Sequence, residues 1–228
     1  LVIEAATAHG SVALIRGSVC VAEREVVMGP AREDALMPAI AATLQDASAT
    51  MADVRAIACG SGPGSFTSLR IAAALSKGLA QASQIPLYAI PSMLLAALEL
   101  RAQSGSYVLH GDALRGERFA QRFDVGVVAV AGTGGIVTAI GGMVRMVLAD
   151  VEQWATSQSL VLVAIGSTPV SACDARSAWP RARNAAALAT VWESFRPVDL
   201  AAWEPDYGRL AEAQVKWEET HQRALPTG

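Results

Sequence analysis

The residues able to do chemistry in this 228-residue chain are few and widely spaced. Its three histidines, His9, His110 and His221, lack the His-x-x-x-His spacing that would put two imidazoles on one helix face around a metal. Cys20, Cys59 and Cys173 are odd in number, far apart and without CxxC spacing, which suits a reducing compartment. Asp112 and Glu117 could pair for acid–base work or hold a metal. With no third acid close in sequence, strand-end capping and surface pairing with Arg115 and Arg118 explain them better. Ser65 with a histidine would suggest a serine hydrolase, yet the bulky Phe66 follows it directly and the GxSxG elbow is absent.

One stretch combines the parts of an anion site. Val54-Arg55-Ala56-Ile57-Ala58-Cys59 is an apolar run of strand length, and Gly60-Ser61-Gly62-Pro63-Gly64 turns the chain. Leu69 to Ala82 then reads as an alanine-rich helix with Ser76, Lys77 and Gln81 interspersed. Glycine reaches positive φ and proline fixes its own φ, so the turn can be sharp. Ser65 or Thr67 is placed to cap the helix. Strand, glycine turn and helix N-terminus together favour a phosphate or carboxylate. The segment has neither the Lys-Ser/Thr of a P-loop nor full GxGxxG spacing, so a capped tight turn accounts for it equally well.

The elements that must position these residues follow from composition and periodicity. Net charge −3, pI near 5.6 and only two lysines, Lys77 and Lys216, argue against a protein that grips nucleic acid through its own field. Arg181, Arg183 and Arg196 with Trp179 and Trp192 accordingly read as a solvated helix face rather than a nucleic-acid patch. Hydrophobic residues make up 52% of the chain at a mean hydropathy of +0.34, and much of that is alanine. Val125 to Val144 carries no charge over a span of membrane length. Its glycines and β-branched residues fit two strands around a Gly132-Thr133-Gly134-Gly135 turn better than a spanning helix. The opening residues form a strand pattern, not a basic run before an apolar core, so a cytoplasmic location is expected.

Apolar runs at Leu1–Ile3, Ser11–Ile15 and Val19–Val27 predict three strands. A helix over 34–47 follows, with Leu36, Ile40 and Leu44 on one face and Pro38 confined to its first turn. After the glycine-turn unit come a strand at Ile85–Ile90 and a helix from Ser92 to about Ala102. The order β-β-β-α-β-α-β-α describes an RNase H-like sheet. The pattern then restarts: strands at Tyr107–Asp112, Glu117–Phe123, Val127–Val130 and Ile136–Ile140, a helix over 150–157, a strand at Leu160–Ile165 and a helix over 184–195. A further helix is predicted from Leu210 to Gln222. The expectation is an α/β protein of two RNase H-like subdomains, residues 1–104 and a reduced one over residues 105–228.

The wording of the glycine turn, GSGPGSFTSLRIAAALSKGLA, resembles the signature of the TsaB (YeaZ) family, which belongs with TsaD to the actin-like (ASKHA) superfamily. Ser68 stands where that family commonly has Gly. Ile3-Glu4-Ala5-Ala6-Thr7 with Ser11-Val12-Ala13-Leu14 resembles the family opening, which usually has Asp at the Glu4 position. Asp112-Ala113-Leu114-Arg115-Gly116-Glu117 and Leu36-Met37-Pro38 resemble two further family segments, although Arg32-Glu33 replace the usual His-Ser or His-Thr. Glu204-Pro205-Asp206-Tyr207-Gly208-Arg209 resembles the Glu-Pro-x-Tyr-x-Arg near the family's end. The resemblance is strong over residues 1–120, weak over 125–200 and partial after 203.

The resemblance implies a noncatalytic subunit that docks on TsaD, the enzyme that transfers a threonylcarbamoyl group to the adenosine beside the anticodon of ANN-decoding tRNAs. A TsaE-like ATPase would join the pair, tRNA would bind only the assembly, and a second copy would take the partner's place when the chain is alone. The residues expected at the partner interface are Leu36, Ile40, Leu69, Ala72, Ala73, Ser76 and Ala80. A residual nucleotide or anion site would involve Glu4, Thr7, Ser65, Thr67 and Asp112. Ala5, Ala6 and Thr7 replace the glycines of a working phosphate loop, so the chain is expected to have no cofactor of its own, with ATP or ADP left open at the partner interface. Two other readings compete: an actin-like ATPase or kinase using Glu4, Ser65 and Asp112, and a peptidase-like hydrolase using Ser65.

Overall fold

The structure is a computed structural model, and it describes residues 1–28, 35–126, 135–166, 171, 173–208 and 220. Strands β1 (Val2–Glu4), β2 (His9–Arg16) and β3 (Val19–Val27) form an antiparallel meander, followed by helix α1 (Leu36–Asp46). Then β4 (Ile57–Gly60), α2 (Phe66–Ser83) and β5 (Leu87–Ile90) add two strands parallel to β1, giving the order β3-β2-β1-β4-β5. Helix α3 (Ser92–Ala97) leads to the second sheet: β6 (Gly105–Asp112), β7 (Glu117–Val125), β8 (Val137–Val147), α4 (Leu148–Ser157), β9 (Val161–Ile165) and β10 (Arg176–Ala178). Its order, β10-β9-β6-β7-β8, repeats the first, with three antiparallel strands and two parallel ones. The repeated α/β architecture is the one predicted.

The strand period of two assigns the layers. On β1, Ile3 faces a core with Val12, Ile57 and Leu87 that is covered by Leu36, Ile40 and Leu44 of α1 and by Ala72 and Ala80 of α2. Val2 faces the opposite side, with Ala13, Ala58 and Ile90, beneath Leu95 of α3. Helix α3 is wedged between the sheets: Leu95 packs on the first, while Met93, Ala96 and Ala97 join Leu109, Phe123 and Val163 of the second. Each fully buried aliphatic side chain contributes roughly 2 kcal/mol. Pro38 lies in the first turn of α1, where a missing N–H costs nothing.

Three expectations need correction. Residues 184–195 are not an α-helix but two 3₁₀ segments, Ala182–Leu188 and Trp192–Ser194. Ala182, Ala185 and Leu188 are buried on the first sheet, and their spacing of three matches a three-residue turn. The same segment moves the boundary between the halves. Ala182 N–H donates to Ser11 Oγ at 2.8 Å, Asn184 Nδ2 to the Leu95 carbonyl at 2.9 Å, and Val198 N–H to the Leu87 carbonyl at 2.8 Å. Residues 182–208 therefore pack on the first subdomain rather than closing the second. Finally, Arg181 pairs with Glu25 and with Glu99 (3.2 Å), and Arg183 with Glu23 (3.1 Å), so these arginines fasten the returning chain instead of forming a solvated face. The strand predicted at 127–130, most of the turn at 132–135 and the helix predicted from Leu210 lie outside the described residues.

The second sheet carries a buried pair that the sequence spacing did not suggest. His110 Nε2 lies 2.7 Å from Asp174 Oδ1, both side chains fully buried, and Asp174 Oδ2 accepts from Ser171 N–H at 3.0 Å. Asp174→Ala leaves the imidazole without this partner in an apolar setting, and a loss of about 3 kcal/mol is expected. Denaturant unfolding checks it; a variant as stable as the parent would show the pair to be energetically idle. Among the described residues no helix is long and apolar enough to cross a membrane.

Candidate functional site

Two features stand out, a cleft between the sheets and the outward face of α2. The cleft has a volume of about 500 Å³ and is walled by the β1–β2 connection, the glycine turn with the start of α2, and the ends of β6 and β9. Thr7, Ser65, Thr67 and Asp112 all line it, so the fold does gather four of the five residues expected at an anion site. Among the described residues no lysine or arginine lines it, and the acid Asp112 does. Asp112 Oδ1 accepts from Leu114 N–H at 2.9 Å and lies 3.9 Å from Arg118, whereas Glu117 pairs with Arg145 at 3.0 Å. Each of the two carboxylates thus has its own cation. Ser65 is the N-cap residue of α2 but makes no side-chain cap; its hydroxyl lies 3.0 Å from Ser68 Oγ, a hydroxyl rather than a histidine.

Glu4 is the exception. It is fully buried and lies beneath the cleft rather than in its wall. Ala6 N–H donates to Glu4 Oε1 at 2.6 Å, Ser92 Oγ to Glu4 Oε2 at 2.9 Å, and Gly62 N–H to Ser92 Oγ at 3.0 Å. Burial pushes its carboxyl up from 4.5 to about 7, against the opposing pull of these hydrogen bonds. An acid so enclosed organises the glycine turn; it does not reach a metal or a water in the cleft. Gly60 and Gly64 exist to allow this closeness, since a Cβ on Gly60 would run into the Glu4 carboxylate and one on Gly64 into the Ala6 backbone.

The interface residues expected from the sequence point the wrong way. Leu36, Ile40, Leu69, Ala72, Ala73, Ser76 and Ala80 are all buried beneath the helices, against the chain's own sheet; Ala73 is only 6% exposed. The outward face of α2 consists instead of Thr67, Ala74, Gly78, Gln81 and Ala82, flanked by Arg70, and a Cβ added to Gly78 would meet open space. That of α1 is Met37, Pro38, Ala41 and Gln45. Helix α2 is small on both sides, so its composition could not say which side the sheet would take. Among the described residues no group of three His, Cys, Asp or Glu is arranged to hold a metal.

The comparisons with known proteins bear on this arrangement. A family model described as "TsaD: tRNA N6-adenosine threonylcarbamoyltransferase" matches residues 30–145, half of the chain. The chain is also 25% identical to the Bacillus subtilis tRNA threonylcarbamoyladenosine biosynthesis protein TsaB over 225 residues, covering 92% of this chain and 94% of that one. The chain belongs to the TsaD family, in its TsaB (YeaZ) branch. An uncharacterized protein of Mycobacterium tuberculosis is 37% identical over 95 residues, 41% of this chain and 45% of that relative, so the match spans less than half of its length. The TsaB-type fold is shared by solved structures. A Pseudomonas aeruginosa structure entitled YeaZ superposes with a TM-score of 0.67 at 21% identity, covering 90% of this chain and 97% of it. A second, titled an uncharacterized protein with similarity to peptidase YEAZ, gives 0.72 at 21% identity over 91% and 98%.

Proposed function

We propose that this chain is a noncatalytic subunit in the formation of threonylcarbamoyladenosine in tRNA, and that it works by docking on a TsaD-type transferase in the cytoplasm. The observation that carries the reading is the outward face of α2: Thr67, Ala74 and Gly78 stand in helical register, exposed and small. Such a row lets a second helix approach at the short end of the usual range of about 8–10 Å. Membership of the TsaB branch supplies the partner. The cleft supports the same division of labour, because its described lining residues offer a polyphosphate no lysine or arginine and the buried Glu4 beneath it is committed to the glycine turn. Nucleotide, where the assembly needs it, sits at the shared face, and a TsaE-like ATPase and tRNA join the pair rather than this chain alone. A second copy would use the same face, more weakly, when the partner is absent.

The test is capture of the TsaD homologue of the same organism by Ala74→Arg, with Ala73→Arg as a contrast. Ala74→Arg is expected to fold normally and lose capture by about 100-fold or more, since a charged side chain would stand in the closest approach. Ala73→Arg is expected to fail earlier, by disrupting the core. Normal capture by Ala74→Arg would refute the assignment.

One observation favours a second reading, an actin-like ATPase: Thr7, Ser65, Thr67 and Asp112 do meet around a cleft of about 500 Å³. Calorimetric titration of the purified chain with ATP separates the two, because micromolar binding with turnover belongs only to the second.

A further inference from the structure

Residues 203–208 run back along one flank of α2, where Trp203 meets Lys77 and Tyr207 meets the Phe66 ring that carries Arg70. Trp203 packs against the first core, and the Lys77 ammonium lies 5.8 Å from its ring centroid. Three residues further on, Asp206 N–H donates to the Ser61 carbonyl at 2.7 Å. Tyr207 then meets Phe66 at a ring-centroid distance of 4.6 Å, and the Arg70 guanidinium lies 4.6 Å over the other partner of that stack, Phe66. Phe66, Arg70 and Lys77 fall at i, i+4 and i+11, one flank of the helix, directly beside the row of Thr67, Ala74 and Gly78. Neither cation makes a hydrogen bond or ion pair among the described residues. Two cations held by rings rather than by carboxylates keep their charge available at modest entropic cost.

We propose that Arg70 and Lys77, positioned by Phe66, Tyr207 and Trp203, select a partner helix that carries acidic residues about 10 Å apart along the docking face. The inference rests on the docking reading and adds to it the chemistry of the partner. It also ranks the occupants. Two copies paired antiparallel about Ala74 would set Arg70 of one against Lys77 of the other, a like-charge contact that disfavours self-association at low salt. An acid-bearing partner gains where a second copy loses. Phe66 and Trp203 are positioning groups that face the cations, and Tyr207 braces Phe66 from its other side.

The experiment measures capture of the TsaD homologue by the full chain at low and high salt, about 0.05 and 0.5 M. It compares the parent with the R70E/K77E double variant, Arg70→Lys, Tyr207→Leu and Ala74→Arg, all checked for parental melting. The double variant is expected to lose about 30-fold or more at low salt and to lose the salt dependence with it. Arg70→Lys should retain most of the affinity, and Tyr207→Leu should fall between them with a shallower salt slope. If the double variant binds like the parent while Ala74→Arg does not, the cation inference is wrong and the docking face stands. If Ala74→Arg also binds normally, both are wrong. Sedimentation of the chain alone supplies the remaining outcome: a tight dimer at low salt, broken by the double variant, would assign the face to a second copy instead.

Discussion

Gly64→Ala is expected to destabilise the protein by about 3 kcal/mol or more, enough to unfold much of it at 37 °C. The added Cβ would fall inside the van der Waals radius of the Ala6 carbonyl group and Cα, closer than real Cβ atoms approach backbone. Relief by movement is blocked from two sides. Ser65 N–H donates to the Ala6 carbonyl at 2.8 Å, and Ala6 N–H is held by Glu4 at 2.6 Å. Moving Ala6 would break the attachment between β1 and the glycine turn and cost the buried Glu4 carboxyl one of its donors. Gly78→Ala, in the same helix, is the internal control. Its Cβ meets nothing within 4 Å, so the change should be neutral or stabilise by up to about 1 kcal/mol through helix propensity. Urea midpoints of the two variants check the pair of expectations. A Gly64→Ala protein with the parent's midpoint would mean that the turn is not seated against β1 as described.

Glu4 should make the protein less stable as pH rises. Its folded-state carboxyl is raised from 4.5 to about 7, with burial as the largest cause, so the folded protein holds a proton that the unfolded chain has released. Stability from this group is therefore fully present below about pH 4.5 and is lost as pH climbs through 7. At about 1.4 kcal/mol per unit, the window is worth on the order of 3 kcal/mol. Glu4→Gln keeps the shape and an acceptor for Ala6 N–H, and its amide can donate to Ser92 Oγ. The difference in unfolding free energy between parent and Glu4→Gln, followed from pH 4.5 to 8, should shift in favour of the variant by this amount. A difference that is flat with pH would show that Glu4 is ionised in the folded protein, and the buried hydrogen-bond scheme would need revision.

Most of the element order was readable because it rests on local patterns. Ile3 and Val12 alternate with residues of the opposite face, Leu36, Ile40 and Leu44 share one helical stripe, and the glycines punctuate the chain where the backbone must approach itself. The gathering of Thr7, Ser65, Thr67 and Asp112 around one cleft was implied by the family resemblance and not by any local pattern. Other features depend on contacts that no local pattern encodes. His110 and Asp174 are 64 residues apart. The 3₁₀ segments from Ala182 onward take their form from the sheet they cover, which overrides the α-helical preference of their alanines.

Helix α2 marks the division most clearly. That residues 66–83 would be a helix launched from a glycine turn followed from residue types and spacing, because turn chemistry and helix propensity are local; the place beside TsaB-type proteins came from the resemblance of the motif's wording. Which of its small residues would reach a partner was a matter for the folded molecule. Ala73 and Ala74 differ by one step along the chain, yet one lies beneath the sheet's helical cover and the other faces outward. The stripe of Ile71, Leu75 and Leu79 lies on a flank of the helix, while small residues occupy both the face toward the sheet and the face toward solvent, so the stripe does not tell those two apart. The choice was made by larger side chains, Leu69 below and Trp203 and Tyr207 on the flank. The two aromatic residues lie far along the chain from α2 and reach it only when the chain has folded.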